Sequence, residues 1–343
     1  MKIFLDDFGI FFGRKRNRFV IKKGDEKREV LADDVDLIVC TCQGVSFSVS
    51  AVRLAVEHNI QIVFARYGGW PYAVLMPMTM SGSVRARREQ FLAYNDRRGF
   101  ILARSFVLGK LKNQANLLKL IAKNRRQTYP DLARKLYESG RRIDEIVERV
   151  KDLEGERIDD MRQFLMNLEA EAAKNYWSAL QGVLPSELEF RGRVTRGAAD
   201  PFNCMLNFGY QVILFPEVWK AVCYAGLDPY AGFLHADRPG KPSLVLDLME
   251  EFRQQLVDRT LIGLITRKTI KPDNVLVEGD VEGRMLRKDV TEKILSSLQE
   301  RLDMNVMFDG HRGSLKSFIY SQARKITRFL LGESNYTPFI LGW

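Results

Sequence analysis

The hydrophobic rhythm of this chain changes once, near residue 80, and that change limits the fold more than any other feature. Before it, apolar residues come in short β-branched and aromatic runs: Ile3 to Leu5, Ile10 to Phe12, Phe19 to Ile21, Val35 to Cys40 and Ile60 to Phe64. Gly9, Gly13 and Gly24-Asp25 punctuate them, the pattern of strands joined by turns. One helical stretch, Ser50 to His58, interrupts with Ala51, Leu54 and Ala55 at core spacing, and His58 reads as its cap or as a surface residue. Tyr67 to Pro71 reads as a hairpin turn leading into Tyr72 to Met76. After residue 84 the period is helical almost everywhere. A single switch of period, rather than alternation, predicts an α+β multidomain protein: a β-rich N-terminal domain followed by a larger all-α domain. The expected boundaries are 1–78, a linker at 79–84 around Ser81-Gly82-Ser83, and 85–343.

Within the helical part, Arg85 to Lys123 reads as long helix with a joint at Gly99 or Gly109. Asp131 to Tyr137 and Ile143 to Val150 follow, then Ile158 to Leu180, whose buried stripe is Leu165, Leu168, Ala172, Tyr176 and Leu180. Glu169 stands beside that stripe, a candidate ligand with small Ala172 and Ala173 one turn away, or a plain surface carboxylate. Lys271 to Leu286 reads as a short surface hairpin, and Thr291 to Leu302 and Leu315 to Leu331 as two last helices. His311 is expected in a loop. Tyr336 to Trp343 is too apolar for a solvated tail, so it docks on its own chain or on a partner.

Net charge is +10, and its distribution says more than its size. Residues 85–142 hold 16 Lys/Arg against 4 Asp/Glu, while the rest of the chain holds 37 against 39. A segregated basic block is the footprint of a polyanion, most simply nucleic acid; a basic solvated helix face is the plain alternative. Four cysteines without a CxxC pair indicate neither a zinc ribbon nor a disulfide framework, which fits a cytoplasmic protein. No signal peptide and no apolar run of membrane-spanning length is present, so no membrane partner is expected.

The strongest constellation is the stretch from Gly226 to Arg253. It puts His235, one of three histidines, in a Gly/Pro-rich loop just before a helix. Ser243 is the expected N-cap of that helix, with Leu244, Val245, Leu248, Phe252 and Leu256 on its core side and Asp247 and Glu250, three apart, on the other. One imidazole and two carboxylates form a mostly hard-oxygen cation site suited to magnesium or manganese. Acidic residues in a first helical turn also simply complement the macrodipole.

Three further blocks stand in order before it, Leu168-Glu169 through Tyr176-Trp177, Phe190 to Arg193, and Asp200 through Asn203 to Tyr210, and Leu246-Asp247-Leu248-Met249-Glu250 lies within it. Together they resemble the CRISPR adaptation integrase family, metal-dependent DNA endonucleases that insert new spacers into CRISPR arrays, and the likeness runs along nearly the whole chain. It implies that Glu169, His235 and Glu250 hold Mg2+ or Mn2+, with Asp247 a catalytic residue that ligates or supports. The family's Glu-Gly motif reads Glu169-Ala170 here; Glu154-Gly155 keeps the glycine but lacks the Ala-Ala and Tyr-Trp that follow. Arg238 matches a phosphate contact, and Arg193, Asn203 and Tyr210 are further expected DNA contacts, although an Asn and a Tyr on a helix equally serve packing or capping. The reaction implied is phosphodiester transesterification, joining a spacer 3′-hydroxyl to the repeat. Double-stranded and branched DNA, a homodimer through the β-domains and a second, smaller adaptation protein are the implied partners. A structure-selective nuclease on branched DNA and a non-catalytic DNA scaffold are the other readings.

Overall fold

The computed structural model describes residues 2–66, 71–75, 84–278 and 284–343. The expected linker at 79–84 and the turn at 67–70 lie outside the described residues, save for residue 84. The chain divides into two compact units, Met1–Met80 and Ser81–Trp343.

The first unit holds β1 (Lys2–Leu5), β2 (Phe11–Lys15), β3 (Arg18–Lys23), β4 (Glu26–Leu31), β5 (Leu37–Cys40), β6 (Ser46–Phe47), α1 (Val49–Glu57), β7 (Gln61–Ala65) and β8 (Pro71–Leu75). Among the described residues they make two four-stranded sheets. One runs β1-β5-β7-β8, parallel except for the last pair; the other runs β4-β3-β2-β6, antiparallel except for the last pair. The alternating apolar residues that predicted the strands form one core, in which Phe12 stacks on Phe19 at 5.1 Å beside Leu5, Ile38, Leu54 and Ile62. Ser48 caps α1 by accepting the Ala51 N–H. His58 closes it, its ring held between Asn17 and Asp33 at 2.9 Å each.

The second unit is mainly helical. Its elements are α2 (Val84–Ala93), α3 (Arg97–Arg125), α4 (Pro130–Lys151), α5 (Ile158–Gln181), α6 (Pro201–Phe208), α7 (Phe215–Tyr224), α8 (Ser243–Met249), α9 (Arg259–Thr266), the hairpin β9–β10 (Leu276–Glu278, Arg284–Leu286), α10 (Lys288–Asp303), the hairpin β11–β12 (Asn305–Phe308, His311–Ser314) and α11 (Leu315–Leu330). Two π-helical segments, Gly209–Leu214 and Arg253–Asp258, join α6 to α7 and lead into α9.

Several local expectations are corrected. The joint between the first two helices falls at Asp96, not at a glycine, because its carboxylate caps α3 through the Arg98 N–H at 2.8 Å. Gly99 and Gly109 lie buried inside α3. The predicted pair 131–137 and 143–150 is one helix through Gly140, where a Cβ would press on the Ala115 carbonyl oxygen at 3.1 Å; the missing side chain lets α3 and α4 close together. Ser243 is the first helical residue rather than the cap, which Pro242 occupies without a side-chain hydrogen bond. His311 pairs with Phe308 in a hairpin turned at Asp309-Gly310.

The segment after α11 docks on its own chain. Phe339 stacks on Phe252 at 4.7 Å beside Phe308 and Phe318. Asn113 of α3 donates to the Phe339 carbonyl and accepts the Leu341 N–H, while Asn116 donates to the Leu341 carbonyl. Buried Glu251 accepts from the Tyr336 hydroxyl, the Phe339 amide and the Gln322 side chain.

Candidate active site

The loop before α8 is fixed by a carboxylate that the helix carries at its inner side. Asp247, fully buried, accepts the backbone N–H groups of Phe233, Leu234 and His235 at 2.7, 3.0 and 3.0 Å. It also accepts the His235 ring at Nδ1, 2.6 Å away. With both oxygens taken by N–H donors, Asp247 holds the histidine and leaves ring Nε2 as the nitrogen available for chemistry. Gly232 makes the approach feasible, since a Cβ there would lie 2.5 Å from the Ser243 Cβ. From the other side Arg162 of α5 donates to the carbonyls of Phe233 and Leu234, and Gln90 of α2 pins Asp228 and Ala231.

Glu250 follows at the C-terminal end of α8 and is 4% exposed. Its Oε1 accepts from Arg253 Nε at 2.9 Å. Its Oε2 lies 2.6 Å from the Lys110 ammonium but makes no hydrogen bond. Glu169, one-fifth exposed on α5, pairs with the same ammonium. Three helices thus bring two carboxylates onto one cationic group, and that group is a lysine of α3. Burial pushes the Glu250 carboxyl up, but the charges of Arg253, Lys110 and His235 outweigh it and hold the group ionised, well below the usual carboxylate range. Burial likewise pulls Lys110 down, and Glu169 and Glu250 more than restore it.

Among the described residues no three His, Cys, Asp or Glu side chains stand arranged as a metal cluster. The donors nevertheless suit a hard divalent ion. A buried carboxylate oxygen lies against a cation without a hydrogen bond, a second carboxylate shares that cation, and His235 is bonded to Asp247 on the helix that leads to Glu250.

Beneath Glu250 runs a buried polar chain. Arg253 lies 4.5 Å over the Tyr210 ring. The Tyr210 hydroxyl donates to Asp258 Oδ1, and the Tyr176 hydroxyl donates to Asp258 Oδ2 at 2.8 Å. Burial pushes the Asp258 carboxyl up to about 6 against these donors.

The four expected DNA contacts separate. Arg238 is exposed in the loop after His235. Arg193 is half-buried, spent on Asn203 and Asn207 and set 5.4 Å over the Tyr210 ring. Asn203 is fully buried; its amide donates to Gly192 and Asp200 and its oxygen accepts from Arg193 and Val194. Tyr210 is 3% exposed. Asn203 and Tyr210 therefore brace the interior, their side-chain polar atoms engaged inside. Much of the basic block is also neutralised: Lys112 and Lys119 meet Asp144, Arg97 meets Glu154, and Arg98 meets Asp96 and Glu89. Arg88, Lys123, Arg126, Lys135 and Arg142 stay exposed and, among the described residues, without an acidic partner.

Lys110, Arg162, Gln90 and Asp258 were not singled out in the sequence. Lys110 is one of sixteen basic residues in its block, and nothing in its spacing separates it from the others.

The family described as CRISPR associated protein Cas1 matches residues 3–300 of the chain. A CRISPR-associated endonuclease Cas1 of Archaeoglobus fulgidus is 37% identical over 354 residues, covering all of both chains. One from Pyrobaculum aerophilum is 38% identical over 342 residues, 98% of this chain and 99% of its own. Among solved structures, a casposase bound to integration product superposes with a TM-score of 0.84 at 23% identity, covering 99% of this chain and 93% of that one. A CAS1 protein from Thermotoga maritima gives 0.77 at 21% identity, covering 98% and 99%. A chain of a Cas6-RT-Cas1–Cas2 complex is likewise similar, at a TM-score of 0.76 and 20% identity; all of this chain matches 36% of that one.

Proposed function

The chain belongs to the Cas1 family of CRISPR-associated proteins, and from that premise we propose that it is a metal-dependent DNA endonuclease and integrase. The observation that carries the reading is the convergence of Glu169 and Glu250 on one cationic position, with His235 locked by Asp247 on the helix that leads to Glu250. Glu169, Glu250 and His235 Nε2 would hold a magnesium or manganese ion, which when bound supplies Lewis-acid polarisation of a phosphodiester and offsets charge in its transition state. Asp247 keeps the His235 ring in one tautomer and one orientation. Arg253 keeps Glu250 ionised, as a ligand must be.

In the joining reaction the 3′-oxygen of one DNA end forms a bond to phosphorus while the bond to the departing 3′-oxygen of the repeat breaks. The proton moves from the attacking hydroxyl to the departing alkoxide through solvent. With water as nucleophile the same site would cleave DNA. Arg238 and the unpaired Arg88, Lys123, Arg126, Lys135 and Arg142 hold backbone phosphates without reading bases. The full assembly is proposed as a homodimer working with a Cas2-type partner on double-stranded and branched DNA; the relatives solved with Cas2 support this.

One observation favours a second reading. Lys110 neutralises the two carboxylates as it would in a purely structural ion cluster, and a DNA scaffold would need nothing more. The test separates them. Glu169→Ala, His235→Ala and Glu250→Ala are expected each to abolish manganese-dependent cleavage and strand joining while DNA binding persists. Full activity in the His235 variant would remove the assignment, and product formation that ignores EDTA would favour neither metal nor ligand set.

A further inference from the structure

Two arginines elsewhere in the helical unit share one neighbour, Gln255, and among the described residues neither has an acidic partner. Arg301, in the last turn of α10, is 8% exposed. Its Nε donates to the Gln255 carbonyl at 3.0 Å and its Nη1 points at the Met304 sulfur at 2.9 Å. Its Nη2 is enclosed and makes no hydrogen bond. Arg259, half-buried at the start of α9, leans on the same residue through a 3.4 Å contact with Gln255 Oε1. No carboxylate forms a salt bridge with either group among the described residues.

This arrangement is energetically odd. Burying a charged group is tolerated when an opposite charge or a full set of hydrogen bonds compensates, and like charges in one dry place add repulsion. Here burial and, after it, the charge of Arg259 together pull the Arg301 guanidinium down to about 10, and no acidic neighbour pushes back. Burial alone lowers Arg259. Elsewhere the chain treats buried cations differently: Lys110 has two carboxylates, and Arg253 has Glu250. A guanidinium pair presents forked donors that match the oxygens of a phosphate.

We propose that Arg259 and Arg301, bridged by Gln255, form a phosphate-binding site distinct from the Lys110–Glu250 centre. The anion seats against Arg301 Nη2, and Arg259, the partly exposed member, closes over it. The phosphoryl group comes either from a DNA backbone or from free phosphate; only the DNA source rests on the function proposed above.

Inorganic phosphate is the probe that decides whether the site exists. Against sodium chloride of equal ionic strength, phosphate at about ten times its Kd is expected to raise the melting temperature of the full chain by roughly 3 °C. Arg259→Gln, at a half-exposed position, should keep the fold and lose this rise; Arg301→Gln should lose it too if it folds. No phosphate-specific rise in the wild type, or an equal rise in Arg259→Gln, overturns the site. The source is then read from duplex DNA binding over a salt series. A slope of log K against log salt about one smaller in Arg259→Gln assigns the site to DNA backbone, and an unchanged slope assigns it to free phosphate. Manganese-dependent cleavage by Arg259→Gln, tested in parallel, reports on the other centre, so loss of one reading leaves the other standing.

Discussion

His235 and Asp247 form one unit: a single buried carboxylate accepts the ring Nδ1 at 2.6 Å and the backbone N–H of the same histidine at 3.0 Å. The loop is thereby fixed to the helix that carries Glu250. Asp247→Ala removes both anchors at once and leaves buried amides without acceptors. Removing such an outer partner typically costs a factor of 10–100 in metal affinity or activity. The variant is expected to fall within about that range in manganese-dependent cleavage and to melt earlier. A variant with unchanged manganese titration would show that His235 is held by something else.

Lys110→Met tests the shared cationic position. Removing the ammonium leaves Glu250 and Glu169 facing each other with less compensation, and breaking a buried ion pair from one side costs about 3–5 kcal/mol. The variant should unfold at lower temperature without divalent ions and gain more from manganese than the wild type does. Equal manganese-induced shifts would mean that the ion binds away from these carboxylates.

Asp258→Asn gives a pH signature. The folded-state pKa of Asp258 is raised from 3.8 to about 6, so the folded chain keeps a proton that the unfolded chain has already lost. Stability from this group is therefore fully present below 3.8 and declines as pH rises to about 6, by up to about 3 kcal/mol, then stays level. Urea midpoints between pH 4 and pH 6 should flatten in the variant. A wild-type profile already flat in that window would contradict the assignment.

Arg238→Ala should weaken DNA binding similarly across sequences and lower the salt slope by about one, because the residue is exposed and acts on phosphate alone. Asn203→Ala, by contrast, should lower the denaturation midpoint and leave the slope unchanged, since its amide is spent on Gly192 and Asp200. Equal slope changes in the two variants would place Asn203 at the DNA.

The two-part architecture was legible because a strand buries alternate residues and a helix every third or fourth, so Phe12-Phe19 and the Leu165–Leu180 stripe announce themselves. Element ends were less legible: Asp96 rather than a glycine breaks the first helix, and the two π-helical segments have no simple spacing. At the site, His235, Glu169 and Glu250 stood out by residue type and by family likeness. Lys110 and Arg162 did not, because pairing across 59 or 72 residues leaves no local pattern. Burial of Asn203 and Tyr210 was not legible either, since nothing in the two letters tells an interior brace from a surface contact.

Asn113 and Leu341 are 228 residues apart in the chain and joined by a hydrogen bond. Glu251, adjacent to Glu250, reaches 88 residues ahead for the Phe339 amide. The wall behind the candidate centre is therefore closed by pairings distant in sequence, whose loop-closure entropy opposes them. A chain in which residues 336–341 were detached would keep its acidic residues and lose the rigid backing behind them.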